Sequence, residues 1–489
     1  MKIRLPDYRA IRSALAAISG DVSHDAVGAN APTLDDIYAP ETHAAALDPR
    51  TPIVVGPRGT GKSFWAGVLG DPETRDAAAK AYPTLGIETV DVRFGFTGLG
   101  GPGGIGTEAL DACLGDNPTS EDAKNFWRAT ILSASQNPSR PSDLPTLFRG
   151  ASDWTARERV LVESEKALRA EHRTLLIVYD ALDTVASTWP RRRRMTEALL
   201  EVVWAMRAYR AIRLKLFLRP DQLEDDALRF VELPKLRAGA VKLEWWPTDL
   251  YGLLYARLAL TPDSAARGAF GGILRLHGVE EADRVTILSR TWALTHAEPQ
   301  QRAVMGSISG RFMAAGTFGY KKGNTYDWPL AHLADAFNEV TPRSFLGLII
   351  AAAKHGTQPQ DKVVTPDGIR HGLRAASKTR VDQLHQEFPW IKAVLAPLAG
   401  LLLPQDDTRV FKAWRQAKTI ALIQSDAKNN GYLPPFPPSE ESGEEEALFH
   451  ALERIGVMFR RRDSRLDMPD LFRVAAKLLK KGGTAPLEG

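Results

Sequence analysis

The octapeptide Gly56-Pro57-Arg58-Gly59-Thr60-Gly61-Lys62-Ser63 brings glycines, a lysine and a hydroxyl together in the pattern Gly-x-x-x-x-Gly-Lys-Ser/Thr. The glycines let the backbone wrap closely round phosphate oxygens, with N–H groups and the positive end of a following helix facing the negative charge. Lys62 is placed to reach the outer phosphates, and Ser63 to hold a magnesium ion. The octapeptide follows the apolar run Ile53-Val54-Val55 and precedes a segment able to form a helix, the strand–loop–helix setting this chemistry needs.

A phosphate loop also needs a carboxylate for its metal. The segment Leu175-Leu176-Ile177-Val178-Tyr179-Asp180-Ala181-Leu182-Asp183 reads as a buried strand ending in one. Asp180 would stand at the carboxyl edge of a parallel sheet, where ligands of such folds bind, and is the expected second magnesium ligand with Ser63. Asp183 has two readings. It is either the general base for an attacking water or a cap on the following helix.

The elements that position these groups alternate. From residue 33 to 246, apolar β-rich runs alternate with helical patterns, as in a parallel sheet covered on both faces. The candidate strands are Ile53–Val55, Glu88–Phe94, Leu175–Tyr179, Leu214–Leu218 and Val241–Trp245. Residues 1–32 hold a short amphipathic stretch and read as an arm or docking helix. Residues 247–357 read as a helical lid, and 358–489 as a mainly helical region broken by a proline-rich, acidic loop. The fold class is therefore α/β: a phosphate-loop NTPase core, then a helical lid, then a C-terminal region with a winged-helix-like pattern.

The phosphate loop together with apolar-Asp-Ala-Leu-Asp resembles the STAND signal-transducing NTPases, within the wider AAA+ and origin-recognition-like group; the NACHT branch carries a similar Asp-Gly-Leu-Asp element. The resemblance spans residues 45–360 and is one of motifs. It implies ATP and magnesium as ligands and ATP hydrolysis, with Lys62, Asp183 and Arg219 as the catalytic set; slow turnover is expected because Thr184 takes the place of a second acid. In that class a strand often ends in an arginine that senses the γ-phosphate, and Leu214-Lys215-Leu216-Phe217-Leu218-Arg219 matches it. The competing reading of Arg219 is a structural pair with Asp221 or Asp225. Arg343, in the first turn of a helix opened by Thr341-Pro342, resembles the second sensor of AAA+ lids. Arginine there opposes the helix dipole, so either a phosphate or a local carboxylate, Asp335 or Glu339, must compensate.

Two departures limit what the resemblance implies. Thr184 stands where NACHT proteins often have an acid, and no repeat array follows the lid. A switch unit acting with partner proteins, in signalling or antiviral defence, is the expectation, with oligomerisation open and Arg229 and Arg237 the positions to test for a shared site. The alternatives are a DNA-remodelling or loader ATPase and a scaffold that binds nucleotide without turnover. The C-terminal segment 452–473, with Arg460-Arg461-Arg462 at a turn, reads as a winged-helix module that either holds a switch closed or tracks DNA phosphates.

Composition narrows the rest. The 489 residues are 44% hydrophobic and 25% charged, and 63 basic against 59 acidic residues give no net charge that demands a nucleic-acid partner. The single Cys113 excludes a disulfide framework or cysteine-based zinc cluster within one chain. No apolar stretch approaches a membrane span and the first residues lack a signal-peptide centre, so a cytoplasmic location is expected. The run Arg191–Arg194 reads as a phosphate-contacting patch or a solvated helix face. The glycine-rich stretch Gly95–Gly106 reads as a mobile surface loop.

Overall fold

The computed structural model describes residues 7–18, 24–100, 103–136, 143–186, 188–223, 228–436 and 444–486. The chain divides into two compact units, residues 23–244 and residues 1–22 with 245–489.

Residues 23–244 build one sheet of five parallel strands: β1 (Ile53–Val55), β2 (Val90–Phe96), β3 (Thr174–Tyr179), β4 (Ile212–Leu218) and β5 (Val241–Lys242), in the order β2-β3-β4-β1-β5. β2 starts later than its apolar pattern suggests because Gly86, at φ 64°, opens a 3-10 turn over Ile87–Thr89. β5 is short: after Leu243 donates to the Val55 carbonyl (2.8 Å), ladder pairing stops.

Side chains alternate across the sheet, as the two-residue strand period requires. One face carries Ile53, Val55, Ile177, Tyr179, Leu216 and Leu218, which join a core with Phe126 and Trp127 of the helix Ser120–Ser135 and Met195 and Leu199 of Trp189–Ala205. The Trp127 indole donates to the Met195 carbonyl (2.9 Å), and the Tyr179 hydroxyl meets that of Thr130 (2.9 Å). The other face carries Val54, Leu176, Val178 and Phe217, all buried, and the helix Lys62–Gly70 packs against β2 and β4 through buried Trp65, Val68 and Leu69. Burying each large side chain of this kind stabilises by about 1.5–3 kcal/mol.

Lys215 is the one charged residue in the central run of β4. It is fully buried, and its ammonium donates to the carbonyls of Ala46 (2.7 Å), Asp48 (2.9 Å) and Thr51 (2.8 Å), tying the segment before β1 onto the sheet. Burial pushes its pKa down to about 7, against the pull of Asp48.

The second unit is mainly helical. The helix Tyr8–Ala17 packs on Ser264–Leu276 and Pro342–Lys354, and Arg12 donates to the carbonyls of His355 (2.6 Å) and Gly356 (3.0 Å), just past the end of the latter helix. A cation there complements the negative end of the helix dipole. Helices Pro342–Lys354 and Pro366–Glu387 approach closely at Gly372, where a Cβ would lie 2.3 Å from the Leu348 carbonyl oxygen. Further on, Asp407–Gln416, Thr419–Asn430 and Glu444–Arg454 pack together, followed by the antiparallel hairpin Phe459–Arg460 with Leu466–Asp467 and a short helix, Asp470–Arg473. Among the described residues, no helix is long and apolar enough to cross a membrane.

Candidate functional site

The phosphate loop leaves β1 at Val55 and enters its helix at Lys62. Gly59 (φ 87°) and Gly61 (φ 106°) hold left-handed backbone that a side chain would strain. At Gly56 the need is space: a Cβ would sit 2.4 Å from Thr60 Oγ1. Thr60 closes the turn by donating to the Pro57 carbonyl (2.8 Å). Lys62 curls back into the loop, its ammonium donating to the carbonyls of Gly56 (2.6 Å) and Pro57 (3.0 Å). Pro57, Arg58 and Ser63 are half-buried around it.

The strand period carries Asp180 to the face that the Lys62–Gly70 helix covers, because it continues the alternation of Leu176 and Val178. Its backbone N–H donates to Phe96 on β2 (2.9 Å), and its side chain lies near the Ser63 hydroxyl and the Lys62 ammonium. Burial raises the Asp180 carboxyl, while the Ser63 hydroxyl and Lys62 pull it down. Ser63 and Asp180 thus offer two hard oxygen donors at one point. That set fits magnesium, which keeps several waters and completes its shell with one or two carboxylates and phosphate oxygens. No group of three His, Cys, Asp or Glu side chains able to hold a metal occurs among the described residues.

Asp183 sits in a 3-10 turn, Leu182–Thr184, entered through Ala181 at φ 52°, and its side chain is 39% exposed. Thr188 occupies the cap position of the following helix, so Asp183 does not cap it. Thr184 locks the turn by donating to the Ala181 carbonyl (2.8 Å). The glycine-rich stretch after β2 supports this turn. A Cβ on Gly98 would come within 2.8 Å of the Ala181 Cβ, and one on Gly95 within 2.3 Å of the Tyr179 ring. Thr97 donates to the Ile105 carbonyl (2.9 Å) and Gly98 bridges Gly106, so the described part of the stretch is pinned at its base; Gly101 lies outside the described residues.

Arg219 ends β4, between the strands that carry the phosphate loop and Asp180. Its Nε and Nη2 donate to the two oxygens of Asp221 (3.0 Å each) and Nη1 donates to Asp183 (3.3 Å). Asp221 accepts a further bond from Arg192 (2.8 Å). Burial opposes ionisation of Asp221, but Arg219 and Arg192 outweigh it and hold the carboxyl at about 2. The pair with Asp221, the competing reading of Arg219, is therefore present, and the guanidinium also reaches Asp183; Asp225 lies outside the described residues. Arg192 is the participant that sequence reasoning missed. The Arg191–Arg194 run is neither a patch nor a solvated face: Arg191 pairs with Asp111 (2.5 Å), Arg192 with Asp221, and Arg194 with the Pro118 carbonyl.

The remaining candidates belong to other elements of the chain. Arg343 stands in the first turn of Pro342–Lys354, in the other unit, where Thr341 caps the helix through the Ser344 N–H (3.3 Å). Asp335 accepts backbone N–H bonds from Phe337 (2.9 Å) and Glu339 (3.0 Å), and burial lifts its carboxyl to about 6. Arg237 donates to the Leu223 carbonyl (2.9 Å), and Arg229 is exposed. In the C-terminal hairpin, Arg460 pairs with Asp407 (3.0 Å) and Glu446 (2.9 Å), Arg461 with Asp467 (3.3 Å), and Arg465 with Asp463 (2.7 Å), while Arg462 is exposed.

No protein-family model and no curated protein sequence matches the chain. Among solved structures it aligns with a Walker-type ATPase of Pyrococcus abyssi, at 11% identity, TM-score 0.38, over 92% of this chain and 97% of that one. It also aligns with the ORC2 protein of Aeropyrum pernix, solved with ADPNP and ADP, at 14% identity, TM-score 0.37, over 96% and 93%. Likenesses this distant carry no functional argument. The core is a phosphate-loop α/β sheet on its own geometry: five parallel strands, a glycine-turned loop between β1 and its helix, and a carboxylate at the end of β3 near the loop's serine.

Proposed function

We propose that the chain is an ATP-binding, slowly ATP-hydrolysing switch of the STAND or AAA+ kind, working with partner proteins. The observation that carries this reading is the meeting of Ser63 and Asp180 beside Lys62 at the carboxyl edge of the sheet. Loop residues 56–63 would wrap the phosphates, with Lys62 leaving its two carbonyls for the outer phosphate oxygens. Ser63 and Asp180 would hold magnesium, whose contribution is to neutralise charge on the phosphates.

Asp183 is exposed enough to meet a water. As general base it would take that water's proton while the oxygen bonds to the γ-phosphorus and the bridge to ADP breaks. Arg219 would present Nη1 to the transferring group, its plane fixed by Asp221 and Arg192. Turnover would be slow because Thr184, where a second acid is often found, is spent on locking its own turn. Residues 247–357, with Arg343, would act as the lid, and residues 358–489 would hold the switch. The internal pairing of Arg460, Arg461 and Arg465 favours that holding role over tracking DNA. Bacterial signalling or antiviral defence is the setting this class suggests.

Phosphate release at saturating ATP tests the reading. Slow turnover that needs magnesium and falls about 100-fold or more in Asp183→Asn, with ATP affinity kept, is the expected result. Release no faster than in Lys62→Ala would instead mean a nucleotide-binding scaffold, and strong stimulation by duplex DNA a remodelling ATPase.

A further inference from the structure

Residues 311–326 run Arg-Phe-Met-Ala-Ala-Gly-Thr-Phe-Gly-Tyr-Lys-Lys-Gly-Asn-Thr-Tyr, with three cations, four aromatics and no carboxylate. They form a closed loop in the helical unit. Phe312 bridges Asn324, Met313 donates to Gly323 (2.9 Å) and Thr325 to Arg311 (3.1 Å). Gly316 (φ 84°) and Gly323 (φ 87°) turn the chain on either side of a 3-10 segment, Gly319–Lys322. From the helix Pro366–Glu387, Arg370 donates to the Met313 carbonyl (2.5 Å). The backbone is thus fixed, yet Phe318 is 67% and Tyr320 56% exposed. Arg311, Lys321 and Lys322 are exposed and make no ion pair among the described residues; Lys321 lies 4.8 Å from the Phe318 ring centre.

A bonded scaffold that holds two aromatic rings in water beside unneutralised cations matches a ligand with flat π faces on an anionic backbone. The C-terminal hairpin, where Arg460-Arg461-Arg462 were the candidates from sequence, differs: Arg460 and Arg461 sit on carboxylates, Arg462 is exposed, and the hairpin has no exposed aromatic pair beside it among the described residues. We infer that the 311–326 loop binds single-stranded nucleic acid, with bases stacked on Phe318 and Tyr320 and phosphates on Arg311, Lys321 and Lys322. A single strand fits because its bases are free to stack, whereas those of a duplex are stacked on one another. Lipid fits less well: beyond the two rings, Ala315, Gly316 and Thr317 offer little apolar area to insert. This inference does not depend on nucleotide hydrolysis.

Fluorescence anisotropy of a labelled oligothymidylate of about 20 nucleotides, titrated with the full chain without ATP, tests it. Binding should weaken with salt at a log–log slope of about −2 for three phosphate contacts. Phe318→Ala with Tyr320→Ala should weaken it roughly 100-fold, Lys321→Gln with Lys322→Gln should flatten the slope, and Arg460→Ala and Lys62→Ala should leave binding unchanged. The inference is overturned if no binding appears at low salt, if the aromatic pair makes no difference, or if a duplex binds as tightly. It is equally overturned if anionic vesicles bind the chain, the oligonucleotide does not, and the same substitutions abolish the vesicle binding.

Discussion

Lys62 and Lys215 stand towards opposite ends of the same sheet, and both spend their ammonium on backbone carbonyls. Lys62 holds two carbonyls of its own loop at the carboxyl edge and remains half-buried. Lys215 holds three carbonyls of a separate segment and is sealed from water. The bonds are alike, but what they can do differs. A half-buried lysine on a loop of glycines can exchange carbonyls for phosphate oxygens, whereas a sealed one saturated by three acceptors can only fasten the chain. Under the proposed function, identical bonding thus serves a binding group at one end and a structural tie at the other.

Removing the tie should have the largest effect on folding. Lys215→Met leaves three acceptors unpaired and should cost about 3 kcal/mol or more in denaturant unfolding, with ATP affinity of the folded protein unchanged. It should also alter the pH response. Burial lowers the folded pKa of Lys215 from 10.5 to about 7, so between those values the unfolded chain holds a proton that the folded chain has released, leaving two N–H for the three carbonyls, and this group makes stability rise with pH across that window. The rise should be missing in Lys215→Met. Loss of ATP binding as great as the loss of stability would collapse the distinction between the two ends.

Gly95→Ala should damage both properties. Its Cβ would strike the Tyr179 ring and displace the end of β3, costing about 1–3 kcal/mol and weakening ATP binding through the neighbouring Asp180. Calorimetry and thermal unfolding on one sample would separate the two losses.

The smallest change is expected for Asp221→Asn. The Asp221 carboxyl is held at about 2, below its ordinary 3.8. Its ion pairs therefore contribute about 2 kcal/mol that is fully present above pH 4 and lost as pH falls towards 2. The variant should show that loss at pH 7 and a correspondingly weaker acid dependence. An unchanged acid limb would mean that Arg219 and Arg192 do not hold this carboxyl.

How far the sequence reveals these features depends on how local they are. The phosphate loop, its strand and the Asp180 strand were legible because each is a contiguous pattern with a fixed period. Lys215 also left a signal, a cation on the inward alternation of an apolar strand, but not its three acceptors, which lie 164–169 residues away. The bond from Arg192 to Asp221 joins different elements 29 residues apart, so nothing in the run Arg191–Arg194 announced it. The same holds for Arg12, whose carbonyl partners at 355 and 356 are more than 340 residues distant. The glycine-rich stretch misled for a different reason: Gly95 and Gly98 are small because Tyr179 and Ala181 press on them, which flexibility-based reading cannot distinguish from a free loop.

Calorimetric titration of ATP with magnesium into the wild type and Lys62→Ala shows whether the carboxyl edge binds ATP through Lys62. Binding by the wild type, weakened about 100-fold or more in a variant whose melting temperature is unchanged, is the predicted result. Equal ATP affinity in the two proteins would contradict it.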